Sequence, residues 1–192
     1  MADPEPITIV SGLPRSGTSM AMKMLEAGGI PTLIDNIRVA DEDNPKGYYE
    51  FERVKQIATD QAWLEDAKGR VVKMVAALLL QLPPRYRYDV VFMRRRMEEV
   101  LASQNEMLVR QGKPVDAAKS ASLGVLFQQH LKQVEAWLAK QPNIRVLYVS
   151  YNEMLADPLA QARSIQQFLG RALDTDAMAG VVDPSLYRNR KA

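Results

Sequence analysis

The clearest architectural signal is the segment Ile7-Thr8-Ile9-Val10-Ser11-Gly12-Leu13-Pro14-Arg15-Ser16-Gly17-Thr18-Ser19, close to the N-terminus. Its first four residues are β-rich and mostly apolar, which is typical of a strand buried on both faces of a parallel sheet. Gly12 and Gly17 have the G-x-x-x-x-G spacing of a phosphate-binding loop, whose glycine torsions let successive N–H groups point into one concavity. A helix is predicted over Thr18–Ala27, and its N-terminal dipole would add to the attraction for an anion.

The rest of the chain alternates strand patterns with helix patterns. Further strands are predicted at 70–74, 89–93 and 144–149, and the last two are also mostly apolar. Helices are predicted at 52–67, 97–109, 116–140 and 157–170, the last with Asp157 as N-cap, Pro158 in its first turn and Gly170 as its stop. The alternation predicts a three-layer α/β fold, with a P-loop-type parallel sheet of about four to five strands, in one domain over residues 1–192. Ligands of such sheets bind at the carboxyl ends of the strands.

Composition narrows the class of protein. Of the 192 residues, 25 are Lys or Arg and 23 are Asp or Glu, so the net charge of +2 does not indicate a nucleic-acid partner. The chain has no cysteine, which excludes disulfides, zinc thiolates and cysteine nucleophiles. The acidic, proline-broken N-terminus does not resemble a signal peptide, and the longest apolar run, 71–82, is too short to span a bilayer. These features predict a cytoplasmic protein without stable membrane insertion.

The cation of the glycine-rich loop has an unusual position. Thr18 follows the second glycine, where a nucleotide hydrolase has lysine, and the positive charge lies inside the loop at Arg15. The hydroxyls of Thr18 and Ser19 can bond phosphate oxygens. A glycine-rich turn alone could simply connect a strand to a helix, but this loop between a buried strand and a helix is more specific. We therefore predict an anion site formed by Pro14, Arg15, Ser16, Gly17, Thr18 and Ser19.

The other strand ends lack the residue that magnesium-dependent enzymes need. In those enzymes a second buried strand ends in Asp, which helps to hold the metal. Here the 89–93 strand is followed by Arg94-Arg95-Arg96 and the 144–149 strand by Ser150-Tyr151-Asn152. This argues against ATP or GTP hydrolysis and against a magnesium-dependent kinase, and we predict no metal site.

Residues 14–19 resemble the 5'-phosphosulfate loop of the nucleotide-dependent sulfotransferases, roughly Pro-Lys/Arg-Ser-Gly-Thr-Thr/Ser. Arg95 and Ser103 are similar to the family's 3'-phosphate motif, in which Arg follows an apolar strand and Ser comes eight residues later. Segment 149–170 is similar to the family's late Tyr-Glu-Asp-Leu, Asp-Pro and Phe-Leu-Gly pattern, with Asn152 in place of the first acid. The resemblance spans 9–170 and implies transfer of a sulfuryl group from 3'-phosphoadenylyl sulfate (PAPS), without a metal, to a hydroxyl or amine of a small-molecule, carbohydrate or lipid acceptor.

The resemblance also suggests catalytic residues and shows one departure. Lys73 resembles the family's lysine beside the transferring group, but Val75 stands where the cytosolic branch has a catalytic histidine. The only histidine, His130, is expected at the surface or between helices. Other branches use a glutamate as base, so the acidic loop 41–50 is the natural source. We predict Glu50 first, with Glu42, Asp43 and Asp35 as alternatives.

Several assignments stay open at this stage. Tyr151 either contacts the adenine or 3'-phosphate region or is structural, and the basic segment 187–191 either covers the 3'-phosphate or is a frayed tail. The acceptor pocket is small, open or completed by a homodimer. Two other functions remain: a non-catalytic protein that binds the desulfonated nucleotide, suggested by Val75, and a P-loop nucleotide kinase or hydrolase with unusual motifs.

Overall fold

The computed structural model describes residues 5–35, 37 and 48–183 of the chain. Within these ranges it contains parallel strands that alternate with helices, as the sequence predicts. The bounds of the elements are β1 Ile7–Gly12, α1 Thr18–Ala27, β2 Val71–Val75, α2 Ala76–Leu79, β3 Tyr88–Arg94, α3 Met97–Arg110, α4 Ala117–Leu138, β4 Ile144–Ser150, α5 Tyr151–Ala156, α6 Pro158–Leu169 and α7 Thr175–Gly180.

The strands form one parallel sheet in the order β2-β1-β3-β4. Gly12 at the end of β1 is in register with Val75 of β2 and with Met93 of β3. The carboxyl ends of these neighbouring strands therefore meet at one edge of the sheet, called here the carboxyl edge. Because β2 and β3 lie on opposite sides of β1, the chain reverses its direction of crossover at β1, and such a point forms a ligand-binding crevice.

Helices cover both faces of the sheet. One apolar cluster packs α2, α4 and two short 3-10 helices against the face that contains Ile9 and Phe92. A second cluster packs α1, α5, α6 and α7 against the face that contains Val10 and Met93. The predicted three-layer α/β fold with a parallel sheet is thus confirmed. No helix in the described part of the chain is long and apolar enough to cross a membrane.

One predicted helix is wrong. Residues 52–67 form two short 3-10 helices, Glu52–Gln56 and Ala62–Leu64, separated by a turn. The Asp60 carboxylate accepts hydrogen bonds from the Ala62 N–H and from the Arg53 guanidinium, and the Asp60 carbonyl accepts one from the Trp63 indole. These local bonds compete with helix continuation, as aspartate often does. The turn lets Trp63 become fully buried in the core.

The predicted burial of the last strand on both faces is also wrong. Arg145 and Tyr148 of β4 are exposed, because β3 is the only strand that pairs with β4 in the described residues. Arg145 makes a two-point ion pair, at 2.7 Å, with the buried carboxylate of Asp89 on β3. This pair lies near the start of the strands, at the edge of the sheet opposite the carboxyl edge.

Candidate active site

The loop between β1 and α1 has the backbone that an anion site requires. Arg15 and Gly17 have left-handed torsions, with φ of 69° and 96°. The buried Ser16 hydroxyl donates to the Leu13 carbonyl at 2.6 Å and closes the turn. Because Gly17 is the N-cap of α1 and has no side chain, the helix begins without the usual side-chain acceptor for its first N–H groups. Such an N-terminus attracts anions. Pro14 at the loop tip is exposed, and Thr18 and Ser19 begin α1 half-buried.

Tyr151 has a packing role at this loop. A Cβ atom on Gly17 would lie 2.5 Å from Cδ2 of the Tyr151 ring, so only glycine fits. The guanidinium of Arg95 also lies over the Tyr151 ring, 4.3 Å from the ring centroid. Burial raises the pKa of the Tyr151 hydroxyl, which therefore stays protonated at neutral pH. These contacts place the Tyr151 ring between Gly17 and Arg95, next to the glycine-rich loop.

Arg95 and Ser103 approach the loop from α3 and the turn before it. The guanidinium of Arg95 donates to the Arg15 carbonyl at 3.0 Å and to the Glu99 carboxylate at 3.0 Å. The Arg15 side chain in turn donates from Nε to the Ser103 hydroxyl at 2.9 Å. The side chains of Arg95 and Glu99 are only 7% and 1% exposed, so this ion pair is largely desolvated. The structure therefore brings Arg15, Arg95 and Ser103 into one cluster.

Glu99 explains the departure at Asn152. The Asn152 amide donates to one Glu99 carboxylate oxygen at 3.0 Å, while Arg95 binds the other oxygen. An acidic residue at 152 would instead direct a second carboxylate at a buried one. Sequence reasoning missed Glu99, although its i, i+4 spacing from Arg95 was a usable signal.

We expect Asn152→Asp to destabilise the protein by about 2 kcal/mol at neutral pH, because like charges in a buried site oppose ionisation. The introduced carboxyl would have a folded pKa above its unfolded value. Its destabilising effect should thus be full above the folded pKa and decline as the pH falls toward the unfolded pKa. Urea denaturation between pH 5 and pH 8 measures this. Asn152→Ala, which removes a hydrogen bond without adding charge, is the control; equal pH dependence in both variants would contradict the explanation.

Lys73 and Glu50 meet on the β2 side of the loop. The Lys73 ammonium lies 3.7 Å from a Glu50 carboxylate oxygen and donates to the Ser19 hydroxyl at 3.4 Å. It also donates to the Tyr48 carbonyl, which accepts a second bond from Ser19 at 3.3 Å. The Lys73 side chain is 12% exposed and that of Glu50 is 24% exposed. Two of the sequence-predicted catalytic residues thus lie in contact beside the helix N-terminus.

The other candidates have different surroundings. Asp35 caps the segment after Glu50, since its carboxylate accepts from the Glu52 N–H at 2.6 Å. Val75 ends β2 with an exposed side chain, and His130 is half-buried on α4, with an Nε2 that has no hydrogen-bond partner among the described residues. The alternatives Glu42 and Asp43 and the basic segment 187–191 lie outside the described residues. No group of acidic and histidine side chains that could hold a metal occurs in the part of the chain that the structure describes.

A glycine-rich loop at a crossover reversal of a parallel sheet, with basic side chains on both sides, defines a class of α/β proteins that bind anionic groups at the carboxyl edge. Within this class the family is clear. The sequence-family model for the sulfotransferase domain matches residues 5–192, and the chain belongs to that family.

Solved sulfotransferase structures have the same fold. The chain is 17% identical to sulfotransferase STF1 from Mycobacterium tuberculosis H37Rv. The superposition covers 93% of this chain and 71% of STF1, with a TM-score of 0.61. For mouse sulfotransferase SULT7A1 complexed with PAP the identity is 18%, the coverages are 94% and 63%, and the TM-score is 0.52. For a sulfotransferase from Alicyclobacillus acidocaldarius the identity is 15%, the coverages are 96% of this chain and 89% of that one, and the TM-score is 0.52. A comparison with curated proteins found no match.

Proposed function

We propose that this protein transfers the sulfuryl group of PAPS to a hydroxyl or amine of an acceptor. The observation that carries the proposal is that cations lie on both sides of one loop. Arg15 is within the loop, Arg95 contacts it from the end of β3, and Lys73 contacts it from β2. A donor with a phosphosulfate at one end and a 3'-phosphate at the other needs positive charge at two separate points. The family membership supports the same donor.

Each part of the donor has a proposed binding group. The loop Pro14 to Ser19 would hold the 5'-phosphosulfate with its N–H groups and with the hydroxyls of Thr18 and Ser19. Arg95 and Ser103 would hold the 3'-phosphate, for which the forked guanidinium is well suited. Glu99 and the Arg15 carbonyl hold the Arg95 guanidinium beside the loop, which supports this assignment.

The proposed chemistry is an in-line displacement at sulfur. The acceptor oxygen or nitrogen forms a bond to sulfur while the bond from sulfur to the bridging phosphate oxygen breaks. The leaving group is adenosine 3',5'-bisphosphate, whose bridging oxygen gains negative charge that Lys73 and Arg15 stabilise; preorganised charge of this kind is usually the largest catalytic term. Glu50, next to Lys73, would accept the acceptor's proton.

The proposal covers one domain over residues 1–192 in the cytoplasm, with a small-molecule, carbohydrate or lipid acceptor. A kinase or hydrolase is disfavoured because β2, β3 and β4 end in Val75, Arg94 and Ser150, where such an enzyme would need a carboxylate. A non-catalytic nucleotide-binding protein shares the same donor site, and turnover separates it from an enzyme.

The assignment of the 3'-phosphate site predicts a preference between two nucleotides. We expect adenosine 3',5'-bisphosphate to bind more tightly than adenosine 5'-monophosphate, which lacks the 3'-phosphate. Ser103→Ala should weaken the bisphosphate about tenfold, the effect of one hydrogen bond to a charged group, and should weaken the monophosphate less, through the lost bond from Arg15. Arg95→Ala is less selective, since Arg95 also holds the loop through the Arg15 carbonyl.

Calorimetric titration measures both affinities. Ser122→Ala is the matched control, because the Ser122 hydroxyl is exposed and donates to the Ala118 carbonyl within α4. A Ser103→Ala variant that loses affinity equally for both nucleotides would contradict the assignment of this residue to the 3'-phosphate.

A further inference from the structure

Tyr49 has a backbone conformation that side chains rarely adopt. Its φ is 53°, in the left-handed region, and it immediately precedes Glu50. A tyrosine has no local reason to prefer this conformation, which a bulky residue keeps only when its surroundings hold it there. Such residues cluster at functional sites, so the contacts of Tyr49 are informative.

A hydrogen bond to α1 holds Tyr49 in place. The Tyr49 hydroxyl donates to a Glu26 carboxylate oxygen at 2.6 Å, and the other oxygen accepts from the Thr32 hydroxyl at 3.4 Å. The Tyr49 ring also packs against the apolar cluster around α1. Burial and the bond to Glu26 raise the pKa of the Tyr49 hydroxyl, so it remains a donor throughout the neutral range.

The left-handed turn at Tyr49 directs both of its neighbours toward Lys73. The Tyr48 carbonyl accepts from the Lys73 ammonium, and the Glu50 carboxylate lies 3.7 Å from it. Tyr48 and Glu50 are two residues apart, and in an extended segment the carbonyls point sideways while the side chains stand roughly perpendicular to them. The turn instead allows a carbonyl before Tyr49 and a side chain after it to contact the same ammonium. The Glu50 carbonyl is fixed as well, since it accepts from the Asp35 N–H at 3.2 Å.

We propose that Tyr49 is a positioning residue: through its hydrogen bond to Glu26 it fixes the Tyr48 carbonyl and the Glu50 carboxylate around Lys73. The inference rests on the proposed function, because Lys73 and Glu50 are the groups assigned there to the transferring sulfuryl and to the proton. Tyr49 itself acts only through these neighbours.

The test measures the reactivity of the Lys73 amine, which needs neither donor nor acceptor. In Tyr49→Phe the ring stays and only the hydroxyl is lost, so the segment should open more often and Lys73 should react with an amine-labelling reagent about tenfold faster, the effect expected for one hydrogen bond to a charged group. Mass spectrometry reads each lysine separately. The labelling of Lys68 should not change, and the melting temperature should fall by no more than it does in Tyr86→Phe, which distinguishes positioning from general destabilisation.

Tyr86→Phe is the matched control. The Tyr86 hydroxyl also donates to a glutamate at 2.6 Å, here Glu65, but it lies before β3, at the edge opposite the carboxyl edge. Glu26→Gln should accelerate Lys73 labelling less than Tyr49→Phe does, since the amide oxygen still accepts the bond. The double variant Tyr49→Phe/Glu26→Gln should match Tyr49→Phe alone, because both changes act on one interaction.

Two results overturn the inference: Lys73 labelling in Tyr49→Phe equal to that of the wild type, or an additive effect in the double variant. Failure of the proposed function gives a different result, since the wild type would then not bind adenosine 3',5'-bisphosphate. If the wild type binds the bisphosphate, Tyr49→Phe should bind it equally well, because the hydroxyl is not assigned to the donor site.

Discussion

Lys73→Ala is expected to slow sulfuryl transfer about 10²- to 10³-fold, the typical effect of removing one preorganised group that stabilises transition-state charge. The Lys73 ammonium is directed toward the N-terminus of α1 by its bonds to the Ser19 hydroxyl and the Tyr48 carbonyl. In the proposed mechanism it meets the negative charge that develops on the bridging oxygen. The affinity for adenosine 3',5'-bisphosphate should fall by much less than the rate, because the bisphosphate keeps the bridging oxygen but not the charge distribution of the transition state.

The measurement is the rate of bisphosphate formation from PAPS over a panel of hydroxyl and amine acceptors. Lys68→Ala is the control, since Lys68 pairs with Glu65 at the surface before β2, away from the carboxyl edge. A Lys73→Ala enzyme that retains the wild-type rate, or one that loses bisphosphate affinity in proportion to rate, would contradict the assigned role.

Gly17→Ala is expected to weaken bisphosphate binding about 100-fold, an effect comparable with that of a 1 Å misplacement in a functional site. Two costs combine at this position. The residue has a φ of 96°, which alanine disfavours, and its Cβ would lie 2.5 Å from the Tyr151 ring. Relief of that contact must displace either the loop or Tyr151, and Tyr151 supports Arg95.

Gly29→Ala separates the two costs. Gly29 has a φ of 101°, close to that of Gly17, but a Cβ there would meet no heavy atom within 4 Å. The control should therefore show a loss of thermal stability from the backbone conformation with little effect on the bisphosphate. Equal losses of affinity in both variants, measured by calorimetry, would mean that the fit between loop and Tyr151 is unimportant.

The sequence predicts those parts of the fold that local signals specify. Helix α1 has the predicted bounds, because the strand, the two glycines and the following helix pattern are adjacent in the chain. The helix predicted at 52–67 is wrong because its interruption depends on tertiary burial of Trp63 and on bonds made by Asp60. Position within the sheet, which decides the exposure of β4, cannot be read from the strand's own composition.

In the candidate site, too, local sequence signals could be read in advance, whereas contacts between distant segments could not. The cluster of Arg15 and Ser103 joins segments 88 residues apart, and only a resemblance to known motifs could suggest it. The neighbours that fix these groups were not predicted, because Glu99 looks like an ordinary helix residue and no motif announces a left-handed Tyr49. The binding and catalytic roles of these residues stay predictions, which the measurements of nucleotide binding and sulfuryl transfer test.

The most direct test of the central claim is a calorimetric titration of the wild-type protein with adenosine 3',5'-bisphosphate in the presence of EDTA, beside a titration with ATP and magnesium. The donor site proposed around the β1–α1 loop predicts bisphosphate binding that does not require a metal and is tighter than the binding of ATP. Binding of ATP with magnesium, without binding of the bisphosphate, would contradict the account and would favour a kinase or hydrolase.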